Sequence, residues 1–319
     1  MKRRLGLYKL NAVGLSEGPP RRRGDFTMSI TQQIQTILSQ VQILPRRLSL
    51  LTPQVLATVP MLRGVWGAAL HDLDPGAYCA VFLGQGKPSE RIPPLVLRPA
   101  PASAEDFPAL DWILIGNGLE YDAALLRAWD VASGMGLGPA RRRFHIRACH
   151  PLGPKGEVLP TAREARGWAL LQAVWPLEGS PDSTPCRLRF PAPLRLLRQH
   201  RLIEQPTPTD LIVAAVRRLE AFLPSPAREA LARMKPALID QARTCLAENW
   251  RGQRLDLLRY SGRQKRELEM RGVSGHLDLP EGPGPLWPLL AAAQWLHLGK
   301  GTVVGMGQLV VEPIPHPGA

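Results

Sequence analysis

An order of periodicities that occurs twice constrains this chain more than any other feature. In the first half, a strand-like run over 47–52 precedes a helix opening at Thr58-Val59-Pro60, where threonine can cap and proline suits the first turn. Strands over 78–83, 94–98 and 111–115, a helix over 121–131, the glycine-rich segment 134–138 and an alternating strand over 141–149 follow. The second half reads as a strand over 187–190, then a helix over 210–222 capped by Thr209 or Asp210. Further helix over 227–250 is broken or kinked at Pro236. Strands over 254–260 and 268–279, a helix over 286–296, a glycine loop and a strand over 303–312 close the chain. Each half is thus strand, helix, strands, helix, glycine-rich loop, strand, the order of a ferredoxin-like βαββαβ unit. The expected class is α+β: two ferredoxin-like (RRM-like) units in tandem, over 28–183 and 184–319. The second carries a helical insertion and the C-terminal glycine loop. Residues 1–27, with Arg21-Arg22-Arg23 and no periodic apolar pattern, are expected to form a disordered basic arm, and Met28 is an alternative start.

Charge narrows the partner. Forty Lys and Arg against 27 Asp and Glu give a formal charge of +13, which favours a polyanion such as nucleic acid or an acidic membrane surface. The longest apolar run, 285–298, is too short and interrupted to span a bilayer, and no apolar signal-peptide core follows Met1. A soluble, cytoplasmic protein without a membrane partner is therefore expected. The four cysteines are scattered with no paired or ligand-like spacing, which predicts neither a metal site nor a disulfide framework.

The stretch from His297 to Gly307 holds Gly299, Gly301, Gly305 and Gly307 around Lys300. Clustered glycine N–H groups can line a concave anion site to which a lysine adds charge. It is not a nucleotide P-loop, because Gly301 follows Lys300 and no Ser or Thr does; the alternative is a tight connection with glycines for close packing. In the first helix, Leu62, Val65, Trp66, Ala69 and Leu73 share a core-facing spacing, while Gly64, Gly67 and His71 fall opposite. Such a glycine face admits either a ligand or another element of the chain. In the strand over 141–149, Arg143, His145 and Arg147 share one face, which suits RNA contact or plain solvation.

Taken together, Leu62-Arg63-Gly64-Val65-Trp66-Gly67, the segment 136–141, Phe190-Pro191-Ala192-Pro193-Leu194-Arg195, the segment 259–266 and the terminal glycine loop resemble the CRISPR repeat-processing endoribonucleases of the RAMP superfamily. The resemblance implies a nuclease without metal or other cofactor that cuts precursor CRISPR RNA within each repeat. The ribose 2′-OH attacks the adjacent phosphorus, leaving a 2′,3′-cyclic phosphate and a 5′-OH. That reaction needs a base, an acid and donors for the phosphorane, and histidine suits the proton transfers. The resemblance points to His71 as the catalytic residue, with His297 as the second choice and His145 as the third. For RNA binding it points to Arg63, Arg143, His145, Arg147, Arg259, Tyr260, Arg263, Lys265 and Arg266, together with Lys300 and the loop glycines 299, 301, 305 and 307. The partners it implies are CRISPR repeat RNA or its processed product, and other CRISPR effector subunits. A non-catalytic RAMP subunit that scaffolds CRISPR RNA is the alternative.

Overall fold

The computed structural model describes residues 28–51, 58–84, 86, 91–100, 108–138, 140–160, 166–261 and 266–315. The arm over 1–27, Arg263 and Lys265 lie outside them. A helix absent from the expected order comes first, α1 (Ile30–Leu38). Ser29 accepts from the Gln32 N–H while the Gln32 side chain accepts from the Ser29 N–H, a reciprocal cap. Its buried side chains, Ile34, Ile37 and Leu38, face the second half of the chain, where the helices Ser225–Thr244 and Trp287–Leu296 lie.

The first unit comprises β1 (Gln42–Leu51), α2 (Val59–Leu73), α3 (Pro75–Tyr78), β2 (Leu95–Pro99), β3 (Ala109–Ile115), α4 (Asp122–Met135) and β4 (His145–Pro151). The sheet order is β2-β3-β1-β4 with every neighbour antiparallel, the ferredoxin-like arrangement. A short β5 (Trp168–Ala169) pairs with the start of β1. The expected strand over 78–83 is helical instead: α3 runs into a π-helical turn over Cys79–Leu83. Asp74 accepts from the Ala77 N–H and Pro75 sets the first turn, so Ala77, Tyr78, Val81 and Phe82 are buried at helical spacing. On α2, Thr58 is the cap as expected, but Leu70 meets the core and Leu73 is half exposed.

The second unit comprises β6 (Cys186–Leu194), the hairpin β7 (Leu197–Arg198) and β8 (Arg201–Leu202), α5 (Pro208–Glu220), α6 (Ser225–Thr244), β9 (Arg251–Ser261), β10 (Arg266–Leu279), α7 (Trp287–Leu296) and β11 (Val310–Glu312). Its sheet order, β11-β6-β10-β9, repeats that of the first unit. The cap of α5 is Thr207 rather than Thr209 or Asp210; Asp210 is the third residue of its reciprocal box. Helix α6 carries Pro236 inside it and ends at Thr244, short of the expected 250. The closing strand is also shorter than expected, because Thr302–Val304 form a 3-10 turn.

Alternation along β1, β2 and β3 sends side chains into two cores. Leu44, Leu48, Leu95, Leu97, Leu110, Trp112 and Leu114 pack under α2 and α4 around Trp66 and Trp129, whose rings stack at 4.6 Å. From the opposite face, Ile43, Val96, Ile113 and Ile115 join a core shared with α1, α7 and the second unit. On that face, fully buried Asp111 pairs with Arg47 at 2.8 Å and Arg98 at 3.2 Å. Arg98 also donates to the Gln294 carbonyl and lies 4.7 Å from the Trp295 ring centroid. The first sheet is covered on both faces, so its centre offers no platform on which RNA bases could stack.

Candidate nucleic-acid interface

The glycine loop begins where α7 stops at His297, whose φ of 55° turns the chain. Gly299, Gly301, Gly305 and Gly307 all have φ between 72° and 89°. Close packing explains much of this. A β-carbon on Gly307 would stand 1.9 Å from the Leu298 carbonyl oxygen, and one on Gly299 would stand 2.4 Å from that of Arg195. The amides of Leu298, Lys300, Val304, Gly305, Met306 and Gly307 donate to carbonyls of the protein itself. The fold thus uses two of the four glycine N–H groups of the expected cradle, those of Gly305 and Gly307. Among the described residues, the N–H groups of Gly299, Gly301, Thr302 and Val303 have no such acceptor.

Those four residues line a cavity of roughly 540 Å³, within the range of ligand sites. Lys300 stands at its wall, and α5 contributes Arg217 and Arg218 from its last turn. Arg195 and Arg198 come from the end of β6 and from the hairpin, and Arg91 from the connection before β2. Asp210 is the lining carboxylate, and it is bound to Arg198. Six cations against one carboxylate make this a strongly positive cleft between the two units, fitted to a phosphodiester. Of its cations, sequence analysis foresaw only Lys300. The adjacent Arg217-Arg218 at the end of an amphipathic helix was the available signal.

His71 lies elsewhere. Arg63, Gly67 and His71 are spaced by four on α2 and share one face. The His71 ring meets the Tyr78 ring edge-on at 5.3 Å, Tyr78 stacks on Phe82 at 5.5 Å, and the Arg63 guanidinium lies 4.9 Å from the Phe82 centroid. The neighbour that Gly67 admits is Tyr78 of this chain, 3.3 Å from where a β-carbon would sit. His71 is about a third exposed, with Nδ1 3.6 Å from Asp72 Oδ1. Tyr78 and Asp72 are the polar side chains beside the ring, and Arg63 lies further along the same face, over Phe82. Tyr78 was missed because its segment reads as a strand.

His297 is fully buried, with Nδ1 3.1 Å from the Met306 carbonyl. Burial, with Arg98 and Arg218 nearby, pushes its pKa down to about 3, so the buried ring is neutral. Arg143, His145 and Arg147 are exposed together along β4 and the segment before it, on one face as expected. The backbones of Arg259, Tyr260 and Arg266 lie in the β9–β10 ladder, opposite Leu268, Glu267 and Ser261. The sites thus separate: Lys300 with the loop glycines, His71 with Arg63, and the β4 face do not merge. Among the described residues, no group of three or more His, Cys, Asp or Glu is placed to hold a metal, and no helix is long and apolar enough to cross a membrane.

Fold and cleft define a tandem ferredoxin-like α+β protein with a cationic groove between its units. Residues 188–309, within the second unit, match the family model described as CRISPR-associated endoribonuclease Cas6. No protein of curated function matches the chain by sequence. In structure, the chain is similar to the product complex of Thermus thermophilus Cas6 (TTHB231), with a TM-score of 0.54 and 18% identity over 86% of this chain and 100% of that one. It is also similar to the Cas6 (TTHA0078) product complex, with a TM-score of 0.53 and 22% identity over 85% and 99%. A partial Cas6-RT-Cas1–Cas2 complex has a TM-score of 0.53 and 13% identity over 86% of this chain and 46% of that one. At these identities the similarities speak for a shared fold.

Proposed function

We propose that this protein is an endoribonuclease that cleaves precursor CRISPR RNA within its repeats and keeps hold of the product. The observation that carries the reading is a cationic cleft built largely by the unit that matches the Cas6 family. The proposed reaction is attack of the ribose 2′-OH on the neighbouring phosphorus, giving a 2′,3′-cyclic phosphate and a 5′-OH without a metal ion. His71 moves the proton, Arg63 stabilises charge on the phosphorane, and Lys300 with the cleft arginines holds the strand. Arg143, His145 and Arg147 extend the positive surface along β4. Two of the solved structures that resemble this chain are Cas6 product complexes and a third is a partial Cas6-RT-Cas1–Cas2 complex, which supports CRISPR RNA and other CRISPR proteins as partners here.

A second reading, a non-catalytic subunit that scaffolds CRISPR RNA, draws support from one observation. Val59, at the start of α2, touches the glycine loop, whereas His71 is twelve residues further along, about 18 Å of helix. One assay decides between them: cleavage of the cognate repeat RNA in EDTA, with His71→Ala and with a 2′-deoxy nucleotide at the mapped cut site. Cleavage by wild type, lost by 10²-fold or more on either change while binding persists, is the expected result. Binding without cleavage by the wild type would establish the scaffold. Cleavage that survives His71→Ala would move the proton transfer to His145 or to a residue outside this set.

A further inference from the structure

The cleft contains a charge that the fold by itself does not explain. Arg218 is 4% exposed; its Nε donates to the Leu296 carbonyl at 3.1 Å, and its guanidinium lies 5.1 Å from the Phe222 centroid. Its Nη2 has no partner, and no carboxylate pairs with it among the described residues. Burial without a counter-ion pushes its pKa down to about 9. A desolvated, unpaired guanidinium is costly, and at a cavity wall it calls for an anion that the protein does not supply. Lys300 and Arg217 line the same cavity, exposed and without a carboxylate partner among the described residues. Asp210 is occupied by Arg198 and by the cap of α5.

The rest of the wall has a different character. Ile92 from the first unit and Leu196, Ile203, Val213 and Val303 from the second form an apolar surface facing the same space. A simple phosphate site has no use for such a wall, and a purely apolar pocket would not enclose an unpaired arginine. We propose that this cavity is a single-nucleotide pocket, in which Arg218, Arg217 and Lys300 take the phosphate and the apolar wall takes base and ribose. The N–H groups of Gly301, Thr302 and Val303, which have no backbone acceptor among the described residues, add donors on the phosphate side. The nucleotide comes either from a bound RNA strand, splayed out of its stack, or from free solution; the first source rests on the RNA-processing reading.

The test titrates the full-length protein with each 5′-mononucleotide and with inorganic phosphate by calorimetry. At least one mononucleotide is expected to bind tenfold or more tighter than phosphate. Val213→Trp, placed at a partly exposed rim position, is expected to weaken that binding at least tenfold with an unchanged melting curve. Arg217→Ala, on the exposed side of α5, is expected to weaken it at least threefold. Phosphate binding as tightly as every nucleotide, or Arg217→Ala and a folded Val213→Trp both leaving affinity unchanged, would overturn the proposal. Repeat RNAs with single abasic sites then identify the source. A position whose loss weakens binding by wild type but not by Val213→Trp assigns the pocket to the strand, and mononucleotide binding without such a position assigns it to a free nucleotide. Failure to bind any repeat RNA, with the mononucleotide results as expected, would remove the RNA-processing reading and leave the pocket standing.

Discussion

Val59 and Gly305 join the helix that carries His71 to the glycine loop: a β-carbon on Gly305 would stand 3.1 Å from Val59 Cγ1. The loop therefore seats the first turn of α2, and Thr302 reinforces the seat with a hydroxyl 3.4 Å from the Leu95 carbonyl. Gly305 has a φ of 89°, which a side chain adopts only at a cost. Gly305→Ala should destabilise the protein by about 1–3 kcal/mol, from backbone strain and pressure on Val59. Urea unfolding measures this, and single-turnover cleavage should slow if the seat positions α2.

Gly67→Ala tests the His71 face without removing a polar group, though its β-carbon would meet the Arg63 guanidinium at 3.7 Å as well as Tyr78. Alanine favours a helix interior by about 1 kcal/mol over glycine, but Gly67 is buried and an added β-carbon would press on Tyr78 at 3.3 Å. Tyr78 is held by Phe82 on one side and the edge of His71 on the other, so it has little room to move. The expected outcome is a stability change within about 1 kcal/mol and a clear fall in cleavage rate with repeat binding retained. A variant of full activity would show that Tyr78 does not position His71.

The tandem arrangement was legible because alternation in β1, β2 and β3 and the helical spacing of Leu62, Trp66 and Ala69 are strong signals. The segment from Tyr78 to Leu83 was not, since a short apolar run has no period that separates strand from helix; Asp74 and Pro75 decide it locally. Helix α1 was overlooked although Ser29 and Gln32 carry a capping signature before Ile34 and Ile37. The cleft could not be read at all. Arg218 and Lys300 are far apart in sequence and meet only because α5 packs on α7, which the Arg218 bond to Leu296 fixes. In the glycine loop, the positive φ values and close backbone contacts serve the fold more than the N–H groups do.

Asp111 holds the contact between the units from the first sheet. It is fully buried and receives both Arg47 and Arg98, and Arg98 reaches on to Gln294 and Trp295 of α7. Removing one member of a buried ion pair strands the others, so Asp111→Ala should cost about 3–5 kcal/mol. Denaturant unfolding checks the magnitude. Protease susceptibility in the connection between the units should rise with it if the contact locks them together.

His297 sets an acid limit on the fold. Its folded pKa of about 3 lies below the ordinary histidine value of 6.5, chiefly because the ring is buried and secondarily because Arg98 and Arg218 repel its charged form. The unfolded chain thus takes up a proton between pH 6.5 and 3 that the folded chain refuses. Stability therefore falls as pH drops through that window, by about 1.4 kcal/mol per unit, or about 2 kcal/mol between pH 6.5 and 5. Because it also sits at a φ of 55°, where asparagine is better tolerated than most residues, His297→Asn is the informative variant. It should abolish this share of the acid dependence in urea unfolding while leaving repeat cleavage at neutral pH within a few-fold of wild type. Loss of cleavage in a His297→Asn protein of normal stability would instead return the ring to the catalytic site.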